Sequence, residues 1–112
     1  MIRKILACSA LLFLLTACAA LGLAPASSFE ERLAYAVSQN AAVRNAAAAS
    51  LERQEIALED AQRVLKITDE VRTALDAARL ASGVGDVSTA EARLQLASAI
   101  LIELQNYLRS RA

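Results

Sequence analysis

The chain has 112 residues, with 12 Lys plus Arg set against 12 Asp plus Glu, no His, no Trp and two Cys. Balanced, scattered charge excludes the positive face of a nucleic-acid binder. The lack of His removes the commonest general base, the usual partner of a Ser nucleophile and the commonest transition-metal ligand, so the expectation is a protein that is not an enzyme and holds no metal.

The first 18 residues open with Arg3-Lys4 and continue as an apolar stretch that ends in Leu15-Thr16-Ala17-Cys18. A basic start, an apolar middle and small residues before a cut describe a secretory signal peptide. The run Leu15, Thr16, Ala17, Cys18 resembles the lipobox of bacterial lipoproteins at all four places. That resemblance implies cleavage between Ala17 and Cys18, a thioether-linked diacylglycerol and an amide-linked acyl chain on Cys18, and no other cofactor. Cys8, preceded by Leu6-Ala7 and by almost no apolar run after Lys4, reads as an ordinary residue of the signal. The competing reading is an uncleaved membrane helix, which would need roughly 20 apolar residues. Each buried methylene of an acyl chain contributes about 0.8 kcal/mol, so two or three chains make a lasting anchor. In the lipoproteins of Gram-negative bacteria an Asp after the Cys favours retention at the inner membrane. Here Ala19 follows it, so the resemblance implies the periplasmic face of the outer membrane.

Cleavage would leave 95 residues with ten basic and twelve acidic side chains, a net charge near −2. A chain of that size makes one domain whose single core is only marginally sufficient, and self-association would help it. Residues 18–27 carry small side chains, Gly22, the lone Pro25 and no charge, which describes a tether. Fully extended, it holds the body at most about 30 Å from the lipid.

Residues 28–112 read as three helices, at about 28–53, 57–82 and 88–110. Ser28 followed by Glu31 makes a capping box, and Phe29, Leu33, Ala36/Val37, Val43, Ala47 and Leu51 recur three and four apart as one apolar stripe, interrupted by Asn40. No Gly or Pro marks the end of this helix. A break over 53–57 is placed there because Leu58-Glu59-Asp60-Ala61 looks like an acidic first turn; one continuous helix from Ser28 to Ala81 is the alternative. The second stripe is Ala61, Val64, Thr68, Val71, Leu75 and Ala78, widened by Leu58 and Leu65, and it closes at Gly83-Val84-Gly85. Ser88 with Glu91 makes another capping box, and Val87, Ala90, Leu94, Ala97, Leu101, Leu104 and Leu108 form the third stripe. Short connections and no β-type alternation predict an all-α, antiparallel up-down-up three-helix bundle.

Adjacent carboxylates, Glu30/Glu31, Glu59/Asp60 and Asp69/Glu70, diverge by about 100° on a helix and do not face one another as a general acid and base would. They read as first-turn charge and solvated faces. Asn40 and Thr68 read as polar seam residues that fix register. Tyr35 and Tyr107 lie beside the seams, either rimming the core with their hydroxyls in water or touching a partner. Leu96, Ile100 and Ile102 add a second apolar face to the third helix, which either packs against both other helices, the favoured reading, or docks a partner, Ile102 then being a candidate contact beside Tyr35 and Tyr107.

The opening Ser28-Phe29-Glu30-Glu31-Arg32-Leu33-Ala34-Tyr35-Ala36, followed by Ala-rich helices, resembles small helical lipoproteins found in phages and prophages of proteobacteria. It implies no catalytic motif. The function expected from the whole is a non-enzymatic envelope adaptor, held to the bilayer through Cys18, that binds another envelope protein or itself and that, if phage-derived, alters the envelope or excludes a second phage. A self-associating structural lipoprotein is the alternative, and a hydrolase or ligand carrier the remote one.

Overall fold

The computed structural model describes residues 28–112, so Ala17, Cys18 and the segment 18–27 lie outside the described residues. Among the described residues three helices follow one another: α1 (Phe29–Glu52), α2 (Leu58–Gly83) and α3 (Val87–Arg111). The body beginning at Leu33 is an all-α up-down-up bundle. Among the described residues no helix is long and apolar enough to cross a membrane.

Each helix starts and stops for a local reason. The Ser28 hydroxyl accepts the Glu31 N–H at 3.1 Å, which satisfies one of the orphan donors of the first turn of α1. At its other end Gln54 takes a left-handed conformation, φ 60°. Its N–H then bonds to the Leu51 carbonyl at 3.0 Å and the Glu55 N–H to the Ser50 carbonyl at 2.9 Å. Those two bonds are a Schellman closure, normally made on glycine. The chain therefore breaks over 53–57, and the single long helix is excluded. The same closure ends α2 on Gly85, φ 81°, with Gly85 N–H bonded to Ser82 O and Asp86 N–H to Ala81 O. Asp86 then serves as N-cap of α3, accepting the Thr89 N–H at 3.2 Å. This corrects the capping box expected at Ser88: the carboxylate two residues earlier is the better acceptor, and the helix begins at Val87.

The core is read almost directly from the stripes. All six seam positions of α2, Ala61, Val64, Thr68, Val71, Leu75 and Ala78, are buried. On α3 Ala90, Leu94, Ala97, Leu101, Leu104 and Leu108 are buried, and on α1 Leu33, Ala36, Asn40, Val43, Ala47 and Ser50. Among the described residues Leu75 and Leu101 are the largest fully enclosed side chains, each contributing about 1.5–3 kcal/mol of burial. Every helix places two Ala in the seam, 36 and 47, 61 and 78, 90 and 97, so their backbones approach closely.

Several stripe members fall outside the core. Val37 is exposed because Ala36 takes the inward position, and Ser50 is buried while Leu51 is half-exposed. Leu58 and Val87 are exposed because each stands in a first turn, where no neighbouring helix covers it.

Register is set by polar contacts between α1 and α2. The Asn40 amide donates from Nδ2 to the Thr68 carbonyl at 3.2 Å, and Arg44 Nη1 donates to Thr68 Oγ1 at 2.8 Å and to Asp69 Oδ1 at 2.6 Å. Moving back along α1 to Val37, the facing residues of α2 advance to Leu75, Asp76 and Arg79. The two helices are therefore antiparallel, and Leu33 stands level with the end of α2 near Leu80. The short turn 84–86 makes α2 and α3 antiparallel in the same way, so α1 and α3 run parallel.

Candidate functional site

At about 100° per residue, α1 has two flanks beside its buried stripe. One carries Val37, Ala41 and Arg44 and faces α2. The other carries Tyr35, Gln39, Ala42, Ala46, Ala49 and Arg53, and its lower part faces α3. There the two helices leave an open groove of about 540 Å³, lined on one side by Ala42, Val43, Ala46 and Ala49 and on the other by Gln105, Leu108 and Arg109. The small methyl groups of 42, 46 and 49 repeat four and three apart, so a guest helix can lie close to the α1 backbone. Ile102 is exposed one turn before Gln105 on the same flank of α3. Arg53, Glu55 and Arg109 give the groove a charged lower rim.

Tyr35 is exposed on the α1 flank that continues this groove toward the opposite end. Tyr107 is elsewhere. It is half-buried between α2 and α3, with the Arg111 guanidinium 5.5 Å from its ring centre, beside Asp60, Arg63, Val64 and Ile67. The structure thus brings Tyr35 and Ile102 to one side of the bundle and places Tyr107 in a different groove. Leu96 and Ile102, six residues apart, lie about 120° apart around α3. Both are exposed and Ile100 is half-buried, so the expected second apolar face of α3 is two separate flanks, and neither Leu96 nor Ile102 is buried in the bundle.

Three aspartates, Asp60, Asp69 and Asp76, lie beside arginines. Asp60 lies 3.9 Å from Arg63 and Asp76 4.0 Å from Arg79, each one turn along the same helix. Asp69 meets Arg44 of α1, a partner on another helix. Among the described residues no three His, Cys, Asp or Glu side chains come together as metal ligands do. The groove between α1 and α2, about 370 Å³, is polar at its rim, with Arg44, Asp69, Arg72, Asp76 and Arg79. Its buried Asn40 leaves Oδ1 without a hydrogen-bond partner.

Sequence reasoning missed the α1/α3 groove itself. The signal was present in Ala42, Ala46 and Ala49, a second heptad-like stripe beside the first, which reads as helix-forming filler until the neighbour is known. No family model, curated protein or solved structure matches this chain.

Proposed function

We propose that this chain is a small, lipid-anchored, non-enzymatic adaptor of the bacterial envelope, which offers the α1/α3 groove to a helix of another envelope protein. The anchor rests on Leu15-Thr16-Ala17-Cys18 after a basic start and an apolar run. The docking role is carried by one observation: the groove is open, floored by Ala42, Ala46 and Ala49, and the exposed Ile102 stands one turn along α3 from its lining residue Gln105. Small residues on one side and a large aliphatic on the other suit a helix presented in groove fashion. Cys18, with its diacylglycerol and N-acyl chain, would hold the body at the periplasmic face of the outer membrane. A phage or prophage origin would make the adaptor a means of altering that envelope against a second phage.

Photoreactive side chains placed at Ala46 and Ile102 in the full chain, expressed in a Gram-negative host, test the docking role, with Glu70 on α2 as control. A discrete adduct to one envelope protein from both groove positions and not from Glu70 supports it. An adduct only to a second copy of the chain transfers support to the self-associating structural reading. The absence of any adduct from 46 and 102, with the protein present in the membrane, contradicts both. If the phage-related form holds, expression also changes plating efficiency of some phages without altering growth.

A further inference from the structure

The three most exposed large apolar side chains among the described residues lie within eight positions of one another: Val84 at 82 %, Leu80 at 73 % and Val87 at 65 %. They form the tip of the α2–α3 hairpin, where α2 closes on Gly85 and α3 opens on Asp86. Exposed aliphatics at a helix junction contribute nothing to the core. From residue 80 to residue 90 the chain has one charge, Asp86, whereas residues 52–60, at the opposite end of the bundle, have Glu52, Arg53, Glu55, Glu59 and Asp60. The last turn of α3, also at that opposite end, adds Arg109 and Arg111.

Topology decides which end is which. Val37 and Arg44 of α1 face Leu75–Arg79 and Leu65–Asp69 of α2, so Leu33 is level with Leu80, and the hairpin tip projects roughly one turn, about 6 Å, beyond it. The chain from Cys18 enters this body at Leu33, only 15 residues from the lipobox Cys. The hairpin tip, with Asp86 as its one charge, stands at the end at which the chain arrives by way of Glu30, Glu31 and Arg32.

We infer that the Leu80–Val84–Val87 tip rests on the lipid surface and, together with the acyl chains on Cys18, holds the bundle upright with its charged end away from the bilayer. This rests on the lipid-anchor reading and adds a second membrane contact to it. The depth is shallow. Asp86 is fully solvated and ionised in its capping role, so it belongs at the headgroup level, while the three aliphatics reach the boundary with the acyl chains. Arg79, one position before Leu80, is exposed and suits anionic headgroups. A tip of three side chains is too weak to hold the protein alone; it orients a body that the anchor already keeps near the surface. The upright arrangement leaves the α1/α3 groove and Ile102 facing sideways, open to a neighbour standing on the same membrane.

The test uses the full chain made in a Gram-negative host and purified from its membranes, with a single added cysteine at Val84, Leu58 or Ile102, labelled with an environment-sensitive fluorophore. It is reconstituted in phosphatidylethanolamine/phosphatidylglycerol vesicles with or without a headgroup-level spin-labelled lipid. The expected result is blue-shifted emission and strong quenching for V84C, with L58C and I102C remaining solvent-like. Equal, solvent-like emission at all three positions in a chain whose mass shows the acyl groups overturns the tip contact and leaves the anchor standing. A chain of unmodified mass that stays off the vesicles overturns both, and an unmodified chain that binds with V84C quenched overturns the anchor alone. Replacing Leu80 and Val84 by Ser leaves the cores of α2 and α3 untouched. It should leave vesicle attachment intact while an L80S/V84S chain labelled at Val87→Cys loses its blue shift; an unchanged V87C signal would contradict the cooperative tip.

Discussion

Gln54 and Gly85 stand in the same relation to their helices: each, at φ 60° and 81°, turns the chain left-handed so that two N–H groups fold back onto the last carbonyls. Only one of them is a glycine. A side chain in this region costs roughly 1–2 kcal/mol, offset in part by the extra freedom glycine gives the unfolded chain. Gln54→Gly is therefore expected to stabilise by about 0.5–1 kcal/mol. Gly85→Ala should destabilise by about 1 kcal/mol through the backbone alone, because a methyl group there meets nothing within 4 Å. Gly83, helical and equally open, gives the opposite sign, with Gly83→Ala stabilising by about 0.5–1 kcal/mol. Denaturant unfolding of the detergent-solubilised chain, followed by circular dichroism, reads all three.

The Arg44–Asp69 contact is short but exposed, with side chains 41 % and 69 % accessible. Solvent screening limits it to under about 1 kcal/mol in a double-mutant cycle. Asn40 is different because it is buried with Oδ1 unpaired. Asn40→Leu removes an unsatisfied acceptor at the loss of one bond to the Thr68 carbonyl, and should stabilise by about 1 kcal/mol. A loss of similar size would mean that Asn40 is worth more than the one bond it makes. The residue is retained, on this argument, for register and not for stability.

Much of the bundle was legible in the sequence because its signal is local. The period of α2 placed all six of its buried residues, and the acidic Leu58–Ala61 turn marked the break that Gln54 closes. What escaped depends on the partner helix. Neither the reach of Arg44 to Asp69 nor the choice of Ala36 over Val37 is determined until α1 and α2 take a register. Asp86 displaced Ser88 as the cap because both residue types suit the position and only the geometry of the Gly85 closure chooses between them. The same dependence hid the α1/α3 groove and set Tyr107 apart from Tyr35 and Ile102.

The Asp86 carboxyl titrates below its ordinary value of 3.8, first because the Thr89 hydroxyl bonds to it and then because the Thr89 N–H does. Its folded pKa is depressed, so the cap contributes fully above the unfolded value and fades as pH falls through the folded one. Asp86→Asn keeps an acceptor and removes the charge. The difference in melting temperature between the two proteins should be present at pH 7 and shrink toward pH 3. A difference independent of pH would show that the carboxylate charge is irrelevant to the start of α3.

Ala97 and Leu101 are completely enclosed one turn apart on α3. Leu101→Ala should cost about 2–5 kcal/mol as a cavity, and Ala97→Leu about 1–3 kcal/mol by forcing the close-packed axes apart. Thermal unfolding orders them. If Ala97→Leu were neutral, the axes would not be held at the distance the small residues allow.

The claim from which the function follows is that Cys18 carries acyl chains. Intact mass of the protein extracted from membranes, beside a Cys18→Ala variant fractionated in the same way, tests it. The predicted result is a chain beginning at Cys18 with the mass of a diacylglycerol and a further acyl group, and loss of that species in the variant. An unmodified full-length mass in both would contradict the anchor and, with it, the adaptor at the membrane.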